Sequence, residues 1–268
     1  MLVHGDCRHM TELEDDSVDL VITDPPFNVS GRHGRREFDY GDGAQADALP
    51  PEEYASWCGE WIEECLRVLR PGGQLYSLMS LKWLPYWAPI LKGRYWRMLP
   101  WVKTMAFLHR ENTWLSAWEP IIWLVKEGAK HELRRAYRFA EDKDWVIGGT
   151  AVAEAEVNRL KKQHPTPRPD WIYEYFIVRS SKPGDLVLDP MMGSGTGARV
   201  SRRLGRRFVG YDINPAYVEL SRQMVSQMPM EMPPVAEELP AGQLELMADW
   251  EQRQDAWYPG RPRQPEAR

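Results

Sequence analysis

Short apolar runs alternate with longer segments of helical periodicity along the chain. The run at 18–23 predicts a strand that stops at Asp24-Pro25-Pro26, because proline cannot continue a strand ladder. From Pro51 to Leu69 apolar residues recur at helical spacing, and Pro71-Gly72-Gly73 is predicted to end that helix. The alternation predicts an α/β fold, a doubly wound and mostly parallel sheet with helices on both faces. Further strands are predicted at 2–4, 75–79, 96–107, 120–125, 186–188 and 208–211, and further helices at 83–91, 170–181, 198–204 and from 215.

Three segments depart from this pattern and set the predicted boundaries. Residues 28–49 contain four glycines among basic residues, which predicts a mobile loop that could act as a lid. Residues 127–163 interrupt the alternation and are interpreted as an insertion. The acidic tail at 228–268 contains seven prolines and is predicted to be partly disordered or docked. The remaining chain forms one half at 1–126 and another at 164–227.

Cysteine content and charge indicate the cellular compartment and the kind of binding partner to expect. Three cysteines offer neither a disulfide framework nor paired metal-binding spacing, and the sequence shows no signal peptide or membrane span. We therefore expect a soluble cytoplasmic protein without a bound metal. The net charge of −5 conceals a basic window at 92–138, where ten basic residues face four acidic ones, a net of +6. A polyanion could dock on this part of the chain.

Three aspartates, Asp24, Asp189 and Asp212, each follow a predicted strand directly. A single aspartate in such a place is most often an ordinary turn residue. In doubly wound sheets, however, ligands bind at the carboxyl ends of the strands. Three such aspartates with neighbouring glycines or prolines therefore predict a binding crevice.

The segment from Asp189 to Gly197 predicts a strand-to-helix turn that binds a nucleotide. Its glycines lack Cβ atoms, so a ligand can approach the backbone closely. Gly193, Gly195 and Ala198 satisfy a dinucleotide fingerprint, and Asp212 follows at about the distance of a ribose-binding acid, which allows an NAD enzyme. Few strand–helix units follow the turn, however, and a smaller ligand of the adenosine type fits better.

The tetrapeptide Asp24-Pro25-Pro26-Phe27 supplies a second candidate feature. Prolines have no N–H group, so the turn presents carbonyl acceptors without competing donors. The carboxylate of Asp24 and the carbonyl of Pro25 would then hold an NH2 group, and Phe27 would stack on a planar heterocycle. The alternative is a rigid turn with one buried aromatic ring.

Taken in order, these segments resemble the S-adenosylmethionine-dependent DNA amino-methyltransferases. Asp24-Pro25-Pro26-Phe27 comes first, followed by the segment 164–169, HPTPRP, which is similar to the family's HPTQKP. The segment 189–197, DPMMGSGTG, resembles DPFxGSGTT, and GYDIN follows at 210–214. This order is that of the β class. The resemblance spans residues 2–225 and implies a Rossmann-like methyltransferase fold with S-adenosyl-L-methionine as cofactor.

The resemblance also assigns roles to the predicted regions and partners. The half at 1–126 would be catalytic, the insertion at 127–163 would recognise the target, and the half at 164–227 would bind the cofactor. Double-stranded DNA would be the substrate, with the target base flipped out of the helix. A homodimer is expected, and the resemblance allows a cognate restriction endonuclease as a partner in a restriction-modification system.

Individual site residues follow from the same resemblance. The implied catalytic residues are Asp24, Pro25, Pro26 and Phe27. The implied cofactor-binding residues are Asp6, Cys7, Asp24, Pro165, Thr166, Asp189, Pro190, Gly193, Ser194, Gly195, Thr196, Asp212 and Asn214. Arginines in the loop and the insertion would contact DNA, or would form a solvated basic face: Arg32, Arg35, Arg36, Arg134, Arg135 and Arg138. The chain departs from the family pattern at four positions: Pro167, Arg168, Met191 and Gly197.

The family resemblance implies adenine N6 as the target amine, because an Asp rather than a Ser precedes Pro25-Pro26. Cytosine N4 is the alternative, since the same pair of acceptors serves both amines. Methylation of a ring carbon needs a cysteine nucleophile, which the familiar enzymes of that kind present after a proline. The chain has no Pro-Cys pair, so this reaction is disfavoured. Two rival hypotheses are a methyltransferase for RNA or a protein amide, in which an Asn usually replaces Asp24, and a nucleotide-binding module without catalysis.

Overall fold

An eight-stranded sheet is the framework of the molecule. The computed structural model describes residues 1–28, 48–107, 116–133, 145–148 and 168–226. The strands are β1 (Leu2–His4), β2 (Val18–Thr23), β3 (Leu69–Leu78), β4 (Tyr95–Phe107), β5 (Ser116–Val125), β6 (Val146–Gly148), β7 (Leu186–Asp189) and β8 (Arg207–Asp212). The helices are α1 (Pro51–Val68), α2 (Leu84–Leu91), α3 (Asp170–Ser180), α4 (Thr196–Arg203) and α5 (Pro215–Ser226), with a 3-10 turn at Leu81–Trp83.

The strand order is β1-β8-β7-β2-β3-β5-β4-β6. The first five strands in this order are parallel, β5 is antiparallel to both of its neighbours, and β6 is parallel to β4. The predicted doubly wound, mostly parallel sheet is thus confirmed. The carboxyl ends of β1, β8, β7, β2 and β3 meet at one edge, where such folds bind ligands. Both outermost strands of the sheet are only three residues long.

Helices cover both faces of the sheet, and the alternation of side chains along β2 shows how. Val21 packs into the core beneath α1 and α2, whereas Leu20 and Ile22 pack into the core beneath α3 and α4. All three side chains are fully buried. A strand that is buried on both faces needs a continuous apolar run rather than an alternating one, which is the pattern that predicted β2.

The end of α1 differs from the prediction. The helix stops at Val68, and Pro71-Gly72-Gly73 lies inside β3 instead of separating the helix from the strand. The pairing of β2 with β3 shifts between Val18, which lies opposite Leu69, and Leu20, which lies opposite Gln74. The residues Pro71-Gly72-Gly73 therefore form an irregularity in the sheet. Gly72 has a φ of +74° and donates its N–H to the Lys126 carbonyl at 2.9 Å. This hydrogen bond joins the turn-like sequence to the neighbouring chain, as in a β-bulge.

The predicted insertion contributes a strand of its own to the sheet. Within 127–163, β6 pairs with β4 and aligns Val146 with Trp101. Most of the predicted loop at 28–49 and all of the tail at 228–268 lie outside the described residues. None of the helices in the described ranges combines the length and the apolar character that a membrane crossing needs.

Candidate active site

The turn that follows β2 is held by hydrogen bonds to its carbonyl groups. The Tyr54 hydroxyl donates to the Pro26 carbonyl at 2.7 Å, and Trp83 Nε1 donates to the Phe27 carbonyl at 2.6 Å. Asn28 has a φ of +49° and donates its side-chain amide to the Leu49 carbonyl at 2.8 Å. Side chains from α1 and from the 3-10 turn therefore fix the backbone around the predicted catalytic residues.

These contacts leave the Pro25 carbonyl as the acceptor at the start of the turn. Pro25 and Pro26 lack N–H groups, and Tyr54 and Trp83 occupy the next two carbonyls. Within the described ranges, no donor contacts the Pro25 carbonyl. The predicted acceptor pair of Asp24 and Pro25 is thus consistent with the local hydrogen bonding.

The carboxylate of Asp24 is bound by Arg168. The guanidinium Nε lies 2.5 Å from Asp24 Oδ2, and Nη2 lies 2.9 Å from Oδ1. Arg168 Nη1 also donates to Glu119 on β5 at 3.0 Å, and Glu119 forms a second ion pair with Lys103 on β4. Burial raises the pKa of Asp24, and the charge of Arg168 opposes that rise. The four charges form a compact, neutral group at the edge of the sheet.

The pattern of the sequence did not identify Arg168, Glu119 and Lys103 as site residues. Arg168 stood out only as a departure from the family's HPTQKP, and Glu119 and Lys103 were counted only in the charge of the basic window. The one available signal was the cation at position 168, where the family's HPTQKP also has a basic residue. Asp24 is 144 residues away, so spacing could not reveal that pair.

The glycine turn after β7 has the predicted strand-to-helix form. Gly193 and Gly195 have φ values of +48° and +80°, a backbone conformation that favours glycine. The Asp212 carboxylate accepts the Gly193 N–H at 2.9 Å and the Asn214 N–H at 2.8 Å. Asp212 thus ties the turn to the end of β8.

Asp189 lies beneath this turn rather than on its surface. Its side chain is fully buried and accepts the Met191 N–H at 3.2 Å and the Tyr173 hydroxyl at 3.3 Å. Burial raises the pKa of Asp189 to about 7. Any contribution of this residue to cofactor binding therefore acts through the shape of the turn.

The predicted cofactor-binding residues Asp6 and Cys7 belong to a segment at 5–7 that lies next to Asp212. The Gly5 N–H donates to the Asp212 carbonyl at 3.1 Å. The Asp6 carboxylate is engaged by the Arg8 side chain at 2.7 Å, which lowers the pKa of Asp6. Cys7 is buried, and burial raises the pKa of its thiol. The structure therefore brings the segments at 5–7, 190–197 and 212–214 together.

The two predicted halves of the site open on the same edge. Strands β2 and β7 are neighbours, with Val21 aligned to Leu188, so Asp24 and the glycine turn follow adjacent strand ends. Arg168 also links them, because its carbonyl lies 3.4 Å from the Thr196 hydroxyl while its side chain binds Asp24. Ser194 lies beside Thr196, their hydroxyls 3.4 Å apart.

Some predicted site residues lie outside the described residues, and their roles stay predictions. They are Pro165 and Thr166 at the cofactor side, and Arg32, Arg35, Arg36, Arg134, Arg135 and Arg138 at the DNA side. The described residues contain no group of three or more His, Cys, Asp or Glu side chains placed to hold a metal ion.

Comparison with known sequences identifies relatives across most of the chain. A family model described as DNA methylase matches residues 18–223. The chain is 31% identical over 231 residues to the type II methyltransferase M.HpaI of Haemophilus parainfluenzae, covering 81% of this chain and 70% of that protein. It is 26% identical over 254 residues to the DNA adenine methyltransferase YhdJ of Escherichia coli K12, covering 82% of this chain and 80% of that protein.

Solved structures share the fold. The PvuII DNA methyltransferase (cytosine-N4-specific) superimposes with a TM-score of 0.66 at 19% identity, covering 94% of this chain and 91% of that one. The M1.HpyAVI–SAM complex superimposes with a TM-score of 0.61 at 22% identity, covering 84% and 98%. The chain therefore belongs to the N6/N4 DNA methylase family, the amino-methyltransferases that use S-adenosylmethionine to methylate DNA.

Proposed function

We propose that this protein methylates the N6 amino group of adenine at a specific site in double-stranded DNA. The observation that carries the proposal is the pair of acceptors at the end of β2, the Asp24 carboxylate and the Pro25 carbonyl, at the same edge as the glycine turn. An amine bound by the acceptor pair and a methyl donor bound at the glycine turn would lie next to each other in one crevice.

The residues of the glycine turn fit the cofactor. The positive φ values of Gly193 and Gly195 let a ligand approach the backbone closely. Each oxygen of Asp212 accepts one backbone N–H and keeps a lone pair for a hydroxyl group. When bound, S-adenosylmethionine supplies an electrophilic methyl group. We expect the segments at 5–7, 190–197 and 212–214 to hold it, with Pro165 and Thr166 added by the family resemblance.

The acceptor pair would activate the amine. The exocyclic amino nitrogen N6 of adenine is a poor nucleophile because its lone pair is delocalised into the ring. Hydrogen bonds from its two N–H groups to Asp24 and Pro25 favour a pyramidal nitrogen whose lone pair points at the methyl donor. The chain then contributes orientation of two bound reactants, and no covalent intermediate with the protein is needed. The N–C bond would form as the carbon–sulfur bond of the donor breaks, and the methylated nitrogen would lose one proton to the Asp24 carboxylate or to solvent.

Access to the amine requires base flipping, because the target lies inside the duplex. The Phe27 ring follows the acceptor pair directly and would stack on the flipped base. We assign DNA binding to the arginines of the loop at 28–49 and of the insertion at 127–163, the latter as the target-recognition region. A homodimer and a cognate restriction endonuclease are further proposals that rest on the family resemblance.

Two facts support adenine as the target. Asp24 leads the tetrapeptide, and the relative in Escherichia coli is named as a DNA adenine methyltransferase. Cytosine N4 is the second candidate, because the acceptor pair holds either amine and the family contains both activities.

The test is transfer of a labelled methyl group from S-adenosylmethionine to duplex DNA, followed by mass spectrometry of the nucleosides. We expect N6-methyladenine with the native protein and no transfer with Asp24→Ala. The matched control is Glu53→Gln, an exposed carboxylate on α1. If the product is N4-methylcytosine, cytosine replaces adenine as the target. The proposal is rejected if label is found only in RNA or protein, or if the native chain transfers no label.

A further inference from the structure

Arg168 contacts both halves of the proposed site. Its guanidinium binds both oxygens of Asp24, and its backbone carbonyl lies 3.4 Å from the Thr196 hydroxyl of the glycine turn. The side chains of Arg168 and Asp24 are each only 16% exposed, so solvent screens this pair little. The guanidinium also lies 5.4 Å from the Phe27 ring and 5.8 Å from the Trp101 ring, which confine its plane.

We propose that Arg168 is a positioning residue that fixes the plane of the Asp24 carboxylate so that its remaining lone pairs face the target amine. The inference rests on the proposed function of Asp24. A carboxylate offers about four lone-pair sites, and a bidentate guanidinium takes two of them. The other sites stay available for an N–H group of the base, so Arg168 and the amine can be bound at the same time.

The geometry requires arginine rather than a generic cation. Two parallel N–H groups on a rigid plane, here Nε and Nη2, define the orientation of the carboxylate, whereas a lysine ammonium is a point charge that leaves it free to rotate. The chain carries arginine at the position where HPTQKP has lysine. Because arginine replaces that lysine, the side chain at 168 orients the Asp24 carboxylate as well as neutralising its charge.

Arg168 also opposes the protonation of Asp24. The groups that face Asp24 are Arg168 itself, the carboxylates of Glu119 and Asp189, the Lys103 ammonium and the Tyr173 hydroxyl. Burial and Glu119 raise the pKa of Asp24, and Arg168 is the first cause that lowers it. Without Arg168, Asp24 would be protonated more readily, and a protonated carboxyl is a weaker acceptor for the amine.

A purely structural ion pair would have different consequences. In that case Arg168 would only join the end of β2 to the segment before α3, and its loss would lower stability without moving the pH dependence of methyl transfer. The distinguishing measurement is therefore the pH profile of kcat/KM on duplex DNA. It is made for the native protein and for Arg168→Gln, Arg168→Lys and Glu119→Gln.

We expect three different results from these variants. Arg168→Gln moves the acidic limb to higher pH by about 1 to 3 pH units, because the opposing charge is lost. Arg168→Lys keeps the limb near its native position but lowers kcat roughly 10- to 100-fold, because the carboxylate is misoriented. Glu119→Gln moves the limb to lower pH, because a like charge next to Asp24 is removed.

The outcomes separate this inference from the proposed function. If Asp24→Ala remains active, the proposed function fails. If Asp24→Ala is inactive but Arg168→Gln and Arg168→Lys keep the native profile and kcat, only the role of Arg168 is overturned. Should Arg168→Gln fail to fold, an unmoved limb in Glu119→Gln together with a native kcat in Arg168→Lys would overturn it equally.

Discussion

The two turns of the crevice are built in different ways. The glycine turn is stabilised by short-range contacts, such as the Met191 N–H on Asp189 two residues away, and by Asp212 at 19 residues. The proposed catalytic turn, residues 24–27 after β2, is stabilised by Tyr54, Trp83 and Arg168, at sequence separations of 28, 56 and 144 residues. The glycine turn thus relies mostly on residues close to it in the sequence, and the other turn relies more on distant residues that only the completed fold brings near.

This difference explains what the sequence could predict. The glycine turn and its acidic partner were found from local spacing, and β2 was predicted with its observed bounds because an apolar run stops at a proline pair. The contacts of Asp24 could not be found, since no local pattern links residues on β2, β4 and β5 to Arg168. Pro71-Gly72-Gly73 misled the prediction because a bulge inside a strand uses the same residues as a turn.

The largest expected effect comes from removing the charge of Asp24. Asp24→Asn keeps the shape of the side chain but weakens one of the two acceptors, and we expect kcat to fall by about 10³-fold. The affinity for S-adenosylmethionine should fall much less than kcat, because the glycine turn is built without Asp24, which is only one of the predicted cofactor-binding residues. Radiolabel transfer and isothermal titration measure the two quantities, and a large loss of affinity would contradict the independence of the turns.

The converse experiment changes the glycine turn alone. In Gly195→Ala, a φ of +80° and a Cβ 2.7 Å from Ser221 Oγ create strain of about 1–3 kcal/mol, which should weaken cofactor binding roughly 10- to 100-fold. Gly184→Ala is the matched control, since Gly184 has a φ of +90° and nothing within 4 Å of the added Cβ. Equal cofactor affinities in the two variants would show that the turn tolerates a side chain.

A smaller effect is expected from loosening the catalytic turn. Tyr54→Phe removes the hydroxyl that holds the Pro26 carbonyl, at a cost of about 1 kcal/mol, and should lower kcat about fivefold with cofactor affinity unchanged. Tyr86→Phe, at an exposed tyrosine near Trp83, is the control. Steady-state kinetics with saturating cofactor distinguish the two, and identical kcat values would mean that Tyr54 does not position the turn.

The smallest effect on catalysis is expected at Asp189, whose influence should appear in stability. Its pKa is about 7 in the folded protein against an ordinary value near 3.8, so the folded state binds a proton more tightly than the unfolded state. The contribution of Asp189 to stability is therefore greatest below about pH 4 and is lost as the pH rises to about 7.

Urea unfolding of the native protein and of Asp189→Asn across this range tests the prediction. The variant should gain stability relative to the native protein as the pH rises toward 7, and the difference should be constant above it. A difference that does not change with pH would place the carboxyl in a more solvated site than the structure shows.

The three-residue strand β1 at one margin of the sheet has a consequence for self-association. A long, flat margin invites another chain to add a strand, because its unpaired N–H and C=O groups form a template. A margin as short as β1 presents few such groups, which protects this side of the sheet from edge-to-edge aggregation. A dimer formed on this side would therefore be expected to use side-chain packing on helix or loop surfaces, and not a continuous intermolecular sheet.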